Sequence, residues 1–292
     1  MKELIGTGVA LVTPFHKDGS VDFNGLEQLV NYTIDGGVEY IVILGTTAES
    51  ATLTKEEKQK VIETIKKVNN KRVPLVLGIG GNNTAEIIKE YKETDLNDYI
   101  AILTVSPYYN KPSQEGIYQH YKAIAENTEA NIILYNVPGR TGSNIAPETT
   151  IRLANEFKNI VAIKEASPNF IQSTDIIRLN TREDFLIISG DDEFAVPMTL
   201  AGGSGVISVI GQGIPNEFTQ MIRNAIHKKV DDAYETHYKT VELTRAIFEE
   251  GNPAGIKAVL ENKKICQSYT RLPLVEATDH LKNKITQLLT NI

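Results

Sequence analysis

A lysine closes one of the chain's short apolar runs. In Asn159-Ile-Val-Ala-Ile-Lys-Glu-Ala-Ser167 the β-branched stretch Ile160–Ile163 predicts a strand buried on both faces, and Lys164 follows it directly. An ammonium ion is costly to desolvate. A lysine at the mouth of such a strand therefore either reaches back to water along its stem or sits where the neutral amine is accessible. A neutral amine condenses with a ketone to a Schiff base, an electron sink for making or breaking carbon–carbon bonds without a cofactor. Taken alone, the segment fits a strand end returning to solvent; the company Lys164 keeps decides between the two readings.

That company has matching chemistry. Tyr109 and Tyr135 are phenols, and Thr46 and Thr47 are adjacent hydroxyls; each such group donates and accepts, so together they can relay protons. Forming and hydrolysing an imine requires protons at the carbinolamine oxygen, which a tyrosine can handle as general acid and base. Arg140, after the turn Pro138-Gly139, offers a planar fork for a carboxylate, so the expected substrate is an anion. Each has a plainer alternative: tyrosines fill cores, threonines end strands, and Arg140 could pair with Glu165 or Asp191. A metal-dependent reading is disfavoured. His16, His120, His227, His237 and His280 are scattered, and Asp191-Asp192 alone is a poor Mg²⁺ site. Neither Gly78-Ile-Gly-Gly81 nor Gly202-Gly-Ser-Gly205 forms a dinucleotide fingerprint in the first βαβ unit; close backbone packing is the preferred reading of the second.

The elements that must position these groups can be read from period. Apolar runs at Val9–Val12, Tyr40–Leu44, Val73–Ile79, Ile100–Val105, Ile132–Tyr135, Ile160–Ile163, Phe185–Ser189 and Gly205–Val209 alternate with amphipathic helical segments. Thr54-Lys-Glu-Glu57 reads as a capping box, Pro147 as a helix start, and Ile117, Tyr121, Ile124 and Ala125 as one apolar stripe. Continuous rather than alternating apolar strands mean a parallel sheet covered by helices, and eight βα repeats most simply close into an α/β fold of the (β/α)8 TIM-barrel class. We expect a barrel over 1–225 and a C-terminal helical extension over 226–292, with breaks at Gly251-Asn-Pro253 and Arg271-Leu-Pro273. In such barrels chemistry sits at the C-terminal strand ends. Thr46-Thr47, Tyr109, Tyr135, Arg140, Lys164 and Gly190 all follow predicted strands and so share that face, which favours the nucleophilic reading of Lys164.

Composition narrows the classes further. The 292 residues are 41% hydrophobic and 23% charged, and the net charge is −7 without a basic block, so nucleic acid and anionic membranes are unexpected partners. The single cysteine, Cys266, reads as a small apolar helix residue in a reducing compartment. The N-terminal stretch reads as a first strand rather than a signal peptide, and no apolar run has transmembrane length, so a cytoplasmic location is expected.

The motifs Gly45-Thr-Thr-Ala-Glu-Ser50, Ser106-Pro-Tyr-Tyr-Asn-Lys-Pro112, Tyr135-Asn-Val-Pro-Gly-Arg-Thr-Gly142, Ile163-Lys-Glu-Ala166 and Gly190-Asp-Asp192 resemble, in order along nearly the whole chain, the signatures of the dihydrodipicolinate synthase and N-acetylneuraminate lyase family. The resemblance implies a TIM barrel whose lysine forms an imine with pyruvate, with no cofactor, and then an enamine that attacks an aldehyde. Thr46-Thr47, Tyr109 and Arg140 resemble the synthase branch more than the sialic-acid lyase or keto-sugar-acid aldolase branches. That branch condenses pyruvate with L-aspartate-4-semialdehyde to 4-hydroxy-tetrahydrodipicolinate, on the way to diaminopimelate and lysine. The implied roles are Lys164 as Schiff-base residue, Tyr135 as proton donor and acceptor, and Thr47 with Thr46 as the link to Tyr109. Arg140 would hold the semialdehyde carboxylate, and backbone around Gly190 and Ile207 would line the pocket. The equivalent of Tyr109 crosses a dimer interface in relatives, implying a homodimer or homotetramer and a nearly inactive monomer. Another pyruvate aldolase, such as an N-acetylneuraminate lyase, or a non-catalytic metabolite-binding barrel are the alternatives. Two departures stand out. Ala48 replaces a common glycine, so its backbone should be ordinary. Lys55 and Lys58 stand where lysine-inhibited relatives bind their effector, which predicts weak or absent feedback by lysine.

Overall fold

A computed structural model describes residues 1–292. Strands and helices alternate along the chain: β1 (Gly6–Ala10), α1 (Phe23–Asp35), β2 (Tyr40–Ile43), α2 (Lys55–Asn69), β3 (Leu75–Gly78), α3 (Thr84–Glu93), β4 (Ala101–Val105), α4 (Gln114–Ala125) and β5 (Ile132–Asn136). The short α5 (Pro138–Thr141) then precedes α6 (Pro147–Glu156), β6 (Ile160–Glu165), α7 (Phe170–Leu179), β7 (Leu186–Ser189), α8 (Ala195–Leu200), β8 (Gly205–Ser208) and α9 (Pro215–Ile226). The strands form a closed parallel barrel in chain order, β8 pairing back onto β1 with Gly8 opposite Ile207. All eight predicted strands are present. β1 begins three residues before its predicted start because Gly6 and Gly8, poor strand formers, mask it, and β3 begins after Pro74, which has no N–H to give the ladder.

Parallel strands buried on both faces separate two apolar layers. Leu103, Ile133, Ile188 and Ile207 fill the barrel, whereas a larger shell including Ile41, Ile43, Ile102, Leu134 and Ile163 lies between strands and helices. The alternation fixes which polar groups turn inward near the C-terminal rim: Tyr135 pairs in register with Lys164, and Lys164 with Ile188. The predicted helix punctuation is present as well. Glu57 N–H donates to Thr54 Oγ1 at 3.2 Å and Thr54 N–H to Glu57 Oε2 at 2.9 Å, and α6 opens on Pro147. Gly205 is a case of close packing: a Cβ there would fall 2.0 Å from Gly6 O, and its φ is +119°.

Three further helices follow α9: α10 (Val230–Glu249), α11 (Ala254–Asn262) and α12 (Asp279–Leu289), with α10 packed on α9 and on both its successors. Cys266 lies in a bend past α11 rather than in a helix, although it is buried as expected; burial pushes its thiol up to about 12, away from reactivity. This region is stapled to the turn after β2. Lys257, fully buried on α11, pairs with Glu49 at 2.5 Å and donates to Tyr269 O at 2.7 Å. Arg271 donates its backbone N–H to Glu49 and its guanidinium to Glu57, Thr52 O and Gly19 O, and both cations lie over the Phe15 ring. No helix is long and apolar enough to cross a membrane.

One core histidine makes the fold sensitive to acid. His120 on α4 is buried, its Nδ1 2.8 Å from Thr84 Oγ1 and its Nε2 without a partner, and burial lowers its pKa to about 4. The folded state therefore holds His120 neutral while the unfolded chain, near 6.5, takes up the proton first. Its contribution is intact above pH 6.5 and declines as pH falls toward 4, by about 3 kcal/mol at most. Urea unfolding of the wild type and His120→Gln across that range should show a gap that shifts in the variant's favour on acidification; parallel curves would refute it.

Candidate active site

The C-terminal ends of the strands surround a cavity of about 450 Å³ whose wall includes Thr46, Thr47, Tyr135, Arg140, Lys164 and Gly190. Lys164 does not snorkel. It is 5% exposed, forms no ion pair, and its Nζ lies 4.5 Å from the centroid of the Tyr135 ring. Strand alternation sends Lys164 inward and its neighbour Glu165 outward, where the carboxylate accepts from Asn136 Nδ2, Gln172 Nε2 and Ser167 N–H. Burial raises the Glu165 pKa while those donors oppose the rise. Gln172 and Asn136 both also bond Asn144. One buried network thus ties the strand ends under Lys164 and Tyr135 to the segment that carries Arg140.

Gly190 is present because Lys164 needs the space. A Cβ on it would lie 3.0 Å from Lys164 Cε and Cγ and 2.6 Å from Ala166 Cβ. Gly190→Ala is expected to cost about 1–3 kcal/mol of stability by overpacking and to slow modification of Lys164, a pair of effects read by urea denaturation and by rates of amine labelling. Unchanged labelling would show that the lysine does not depend on this opening.

Thr47 is buried and its Oγ1 accepts from Asn252 Nδ2 at 2.9 Å. An accepted bond from behind leaves the Thr47 proton free to point into the cavity. Thr46 is exposed at the rim. Thr13 Oγ1 donates to Ala48 O at 2.7 Å, and Ala48 keeps an ordinary backbone; the left-handed residues of this turn are Leu44, at φ +55°, and Glu49, at φ +53°. Thr46, Thr47 and Tyr135 share the cavity without a hydrogen bond between them in a single chain, and Tyr109 is not with them. It is 88% exposed at φ +72°, its N–H donating to Thr141 O. Ile207 is fully buried in the barrel interior on β8, and Val209, two residues on, lies on the cavity wall. The loop bearing Val209 is held by buried Asp192, which accepts from the N–H groups of Val209 and Ile210 and whose pKa burial raises to about 6.

Arg140 pairs with neither Glu165 nor Asp191, nor with any other carboxylate, and it has no side-chain hydrogen bond. Of the three acids on the wall, Glu193 is bound by Arg245 at 2.5 Å and Glu249 by Lys284 at 2.6 Å. Asp191 has no cationic partner. Sequence reasoning missed Asn252 and Arg245, since α10 and the turn after it reach the cavity only through tertiary packing, and also Glu193, which follows β7 on the same rim directly after Gly190-Asp-Asp192. The cleft beside it, lined by Lys55, Lys58 and Lys89, also carries Glu86, Glu90 and Glu93, so its charges balance and exclusion of a cationic effector does not follow from Lys55 and Lys58.

The model of the dihydrodipicolinate synthetase family matches residues 3–292. The chain belongs to this family. It is 56% identical over 285 residues to the 4-hydroxy-tetrahydrodipicolinate synthase of Flavobacterium psychrophilum, covering 98% of this chain and 97% of that one. Its structure is similar to that of the chloride-inhibited dihydrodipicolinate synthase of Acinetobacter baumannii complexed with pyruvate, with a TM-score of 0.94, 41% identity and coverage of 99% and 98%. It also resembles a monomeric dihydrodipicolinate synthase variant, with a TM-score of 0.95, 37% identity and coverage of 99% and 97%. The motif resemblance and the whole-chain match therefore point to the same dihydrodipicolinate synthetase family.

Proposed function

We propose that this chain is a lyase of the Schiff-base aldolase type that condenses pyruvate with L-aspartate-4-semialdehyde to 4-hydroxy-tetrahydrodipicolinate, for the diaminopimelate and lysine route. The observation that carries the reading is a buried amine without an ion pair, Lys164, against the Tyr135 ring in a cavity whose Arg140 has no protein partner. The Lys164 amine attacks the pyruvate ketone, and Tyr135 protonates the departing carbinolamine oxygen, which leaves as water. Loss of a methyl proton gives an enamine, whose carbon attacks the aldehyde. The substrate's own amine then displaces Lys164 and closes the ring, so one water is released overall. Thr47 binds the pyruvate carboxylate end, Arg140 the semialdehyde carboxylate, and the Lys164 imine replaces any cofactor. Tyr109, exposed and held away from its own cavity, suits a second copy of the chain, making a homodimer or homotetramer in the cytoplasm the working assembly.

Pyruvate consumption with different aldehydes tests the reading. The semialdehyde should support turnover and N-acetylmannosamine should not. Arg140→Ala should raise KM for the semialdehyde roughly ten- to a hundredfold, the worth of one charged hydrogen bond, and leave KM for pyruvate nearly unchanged. Preferential use of the amino sugar would reassign the chain to lyase chemistry, and turnover with neither would leave a metabolite-binding barrel.

A further inference from the structure

The ionic groups of the cavity are not all paired, and the unpaired ones form a pattern. Arg245 neutralises Glu193 and Lys284 neutralises Glu249, which leaves Arg140 and Asp191, besides the nucleophile Lys164, as a cation and an anion on the cavity lining without protein counter-charges. Asp191 is built in rather than adrift. Its Oδ1 accepts from the N–H groups of Glu193 at 2.9 Å and Phe194 at 3.3 Å, and its backbone exchanges hydrogen bonds with Ser189 Oγ, so the carboxylate is fixed from behind while Oδ2 has no partner. Burial disfavours its charge, and a cation beside it would reverse that.

We infer that Asp191 is a specificity-determining residue that receives the α-ammonium of the incoming amino aldehyde at Oδ2 while Arg140 takes the same molecule's carboxylate. The inference rests on the semialdehyde being the second substrate. A zwitterionic amino acid presents one anion and one cation a single carbon apart, and the unpaired Arg140 and Asp191 complement both signs. The assignment also explains a discrimination that Arg140 alone cannot make. An aldehyde with the carboxylate but no amine would satisfy Arg140 and leave Asp191 a desolvated, unpaired charge, which a polar site penalises strongly.

The test compares L-aspartate-4-semialdehyde with succinic semialdehyde, its analogue lacking the amine. In single turnovers of the pyruvyl enzyme, borohydride trapping and mass spectrometry give the rate at which each aldehyde consumes the pyruvyl adduct on Lys164. The wild type should prefer the amino aldehyde. In Asp191→Asn, which keeps the Oδ1 acceptor, the rate constant per concentration of amino aldehyde should fall roughly ten- to a hundredfold, that for the analogue should stay within about twofold, and the preference should collapse. Asp191→Ser, which also retains a hydroxyl acceptor, should behave alike, and formation of the pyruvyl adduct should be unaffected in both. Equal losses for the two aldehydes, a preference that survives both substitutions, or a wild type without preference would overturn the assignment. A wild type that forms the pyruvyl adduct but couples neither aldehyde would instead overturn the reading of the substrate, and this inference with it.

Discussion

Borohydride added in the presence of pyruvate is expected to leave one reduced pyruvyl adduct, on Lys164, and Lys164→Met is expected to abolish that adduct together with turnover. The chain has many lysines, but Lys164 combines burial, freedom from an ion pair and a place on the cavity wall. Lys257 is buried too, yet it is committed to Glu49 and to Tyr269 O, so its amine has no lone pair to offer. Removing the nucleophile removes the covalent route itself rather than one of its supports, so the loss in kcat should be on the order of 10⁴-fold or more. Methionine keeps the apolar stem over Tyr135, so folding should survive. Peptide mass spectrometry after trapping decides the matter: an adduct on any other lysine, or substantial turnover by the variant, defeats the assignment.

The largest expected loss of stability comes from Lys257→Met. Breaking a buried pair strands one charge in the core, and Glu49 would be that charge, at about 3–5 kcal/mol. Domain stabilities are commonly about 5–15 kcal/mol, so this one change consumes a large share. Combining it with Glu49→Gln removes the stranded charge and should recover part of the loss, a non-additivity expected of groups in direct contact. Urea midpoints of both variants measure this. A single variant as stable as the wild type would show that water reaches Glu49 and that the pair is not a staple.

How much of this was legible in the chain depends on the range of the interactions involved. The eight strands are local: runs such as Ile132–Tyr135 and Ile160–Ile163 announce burial on both faces, and their order fixes a common rim for Thr47, Tyr135, Arg140 and Lys164. Strand boundaries blurred where Gly6, Gly8 and Pro74 interrupt the pattern. The partners of the site were illegible for a different reason. Asn252 meets Thr47 across 205 positions and Lys257 meets Glu49 across 208, and no periodicity connects such distant residues. One signal was available: Lys257 interrupts the apolar run Ala254-Gly-Ile-Lys-Ala-Val-Leu260, and a charge in an otherwise buried helix demands a counter-charge. Tyr109 could be placed on the rim by order, but not in the cavity, because its loop turns it outward.

The bonds from Asn252 to Thr47 and from Lys257 to Glu49 also set a schedule for synthesis. The last barrel strand ends at Ser208, so a nascent chain can close its sheet while the residues that orient Thr47 are still unmade or inside the ribosome. Until they emerge, Glu49 stands in its turn without its counter-ion and the Thr47 hydroxyl lacks its guide. The barrel can therefore fold before it can work, and competence arrives with the final quarter of translation.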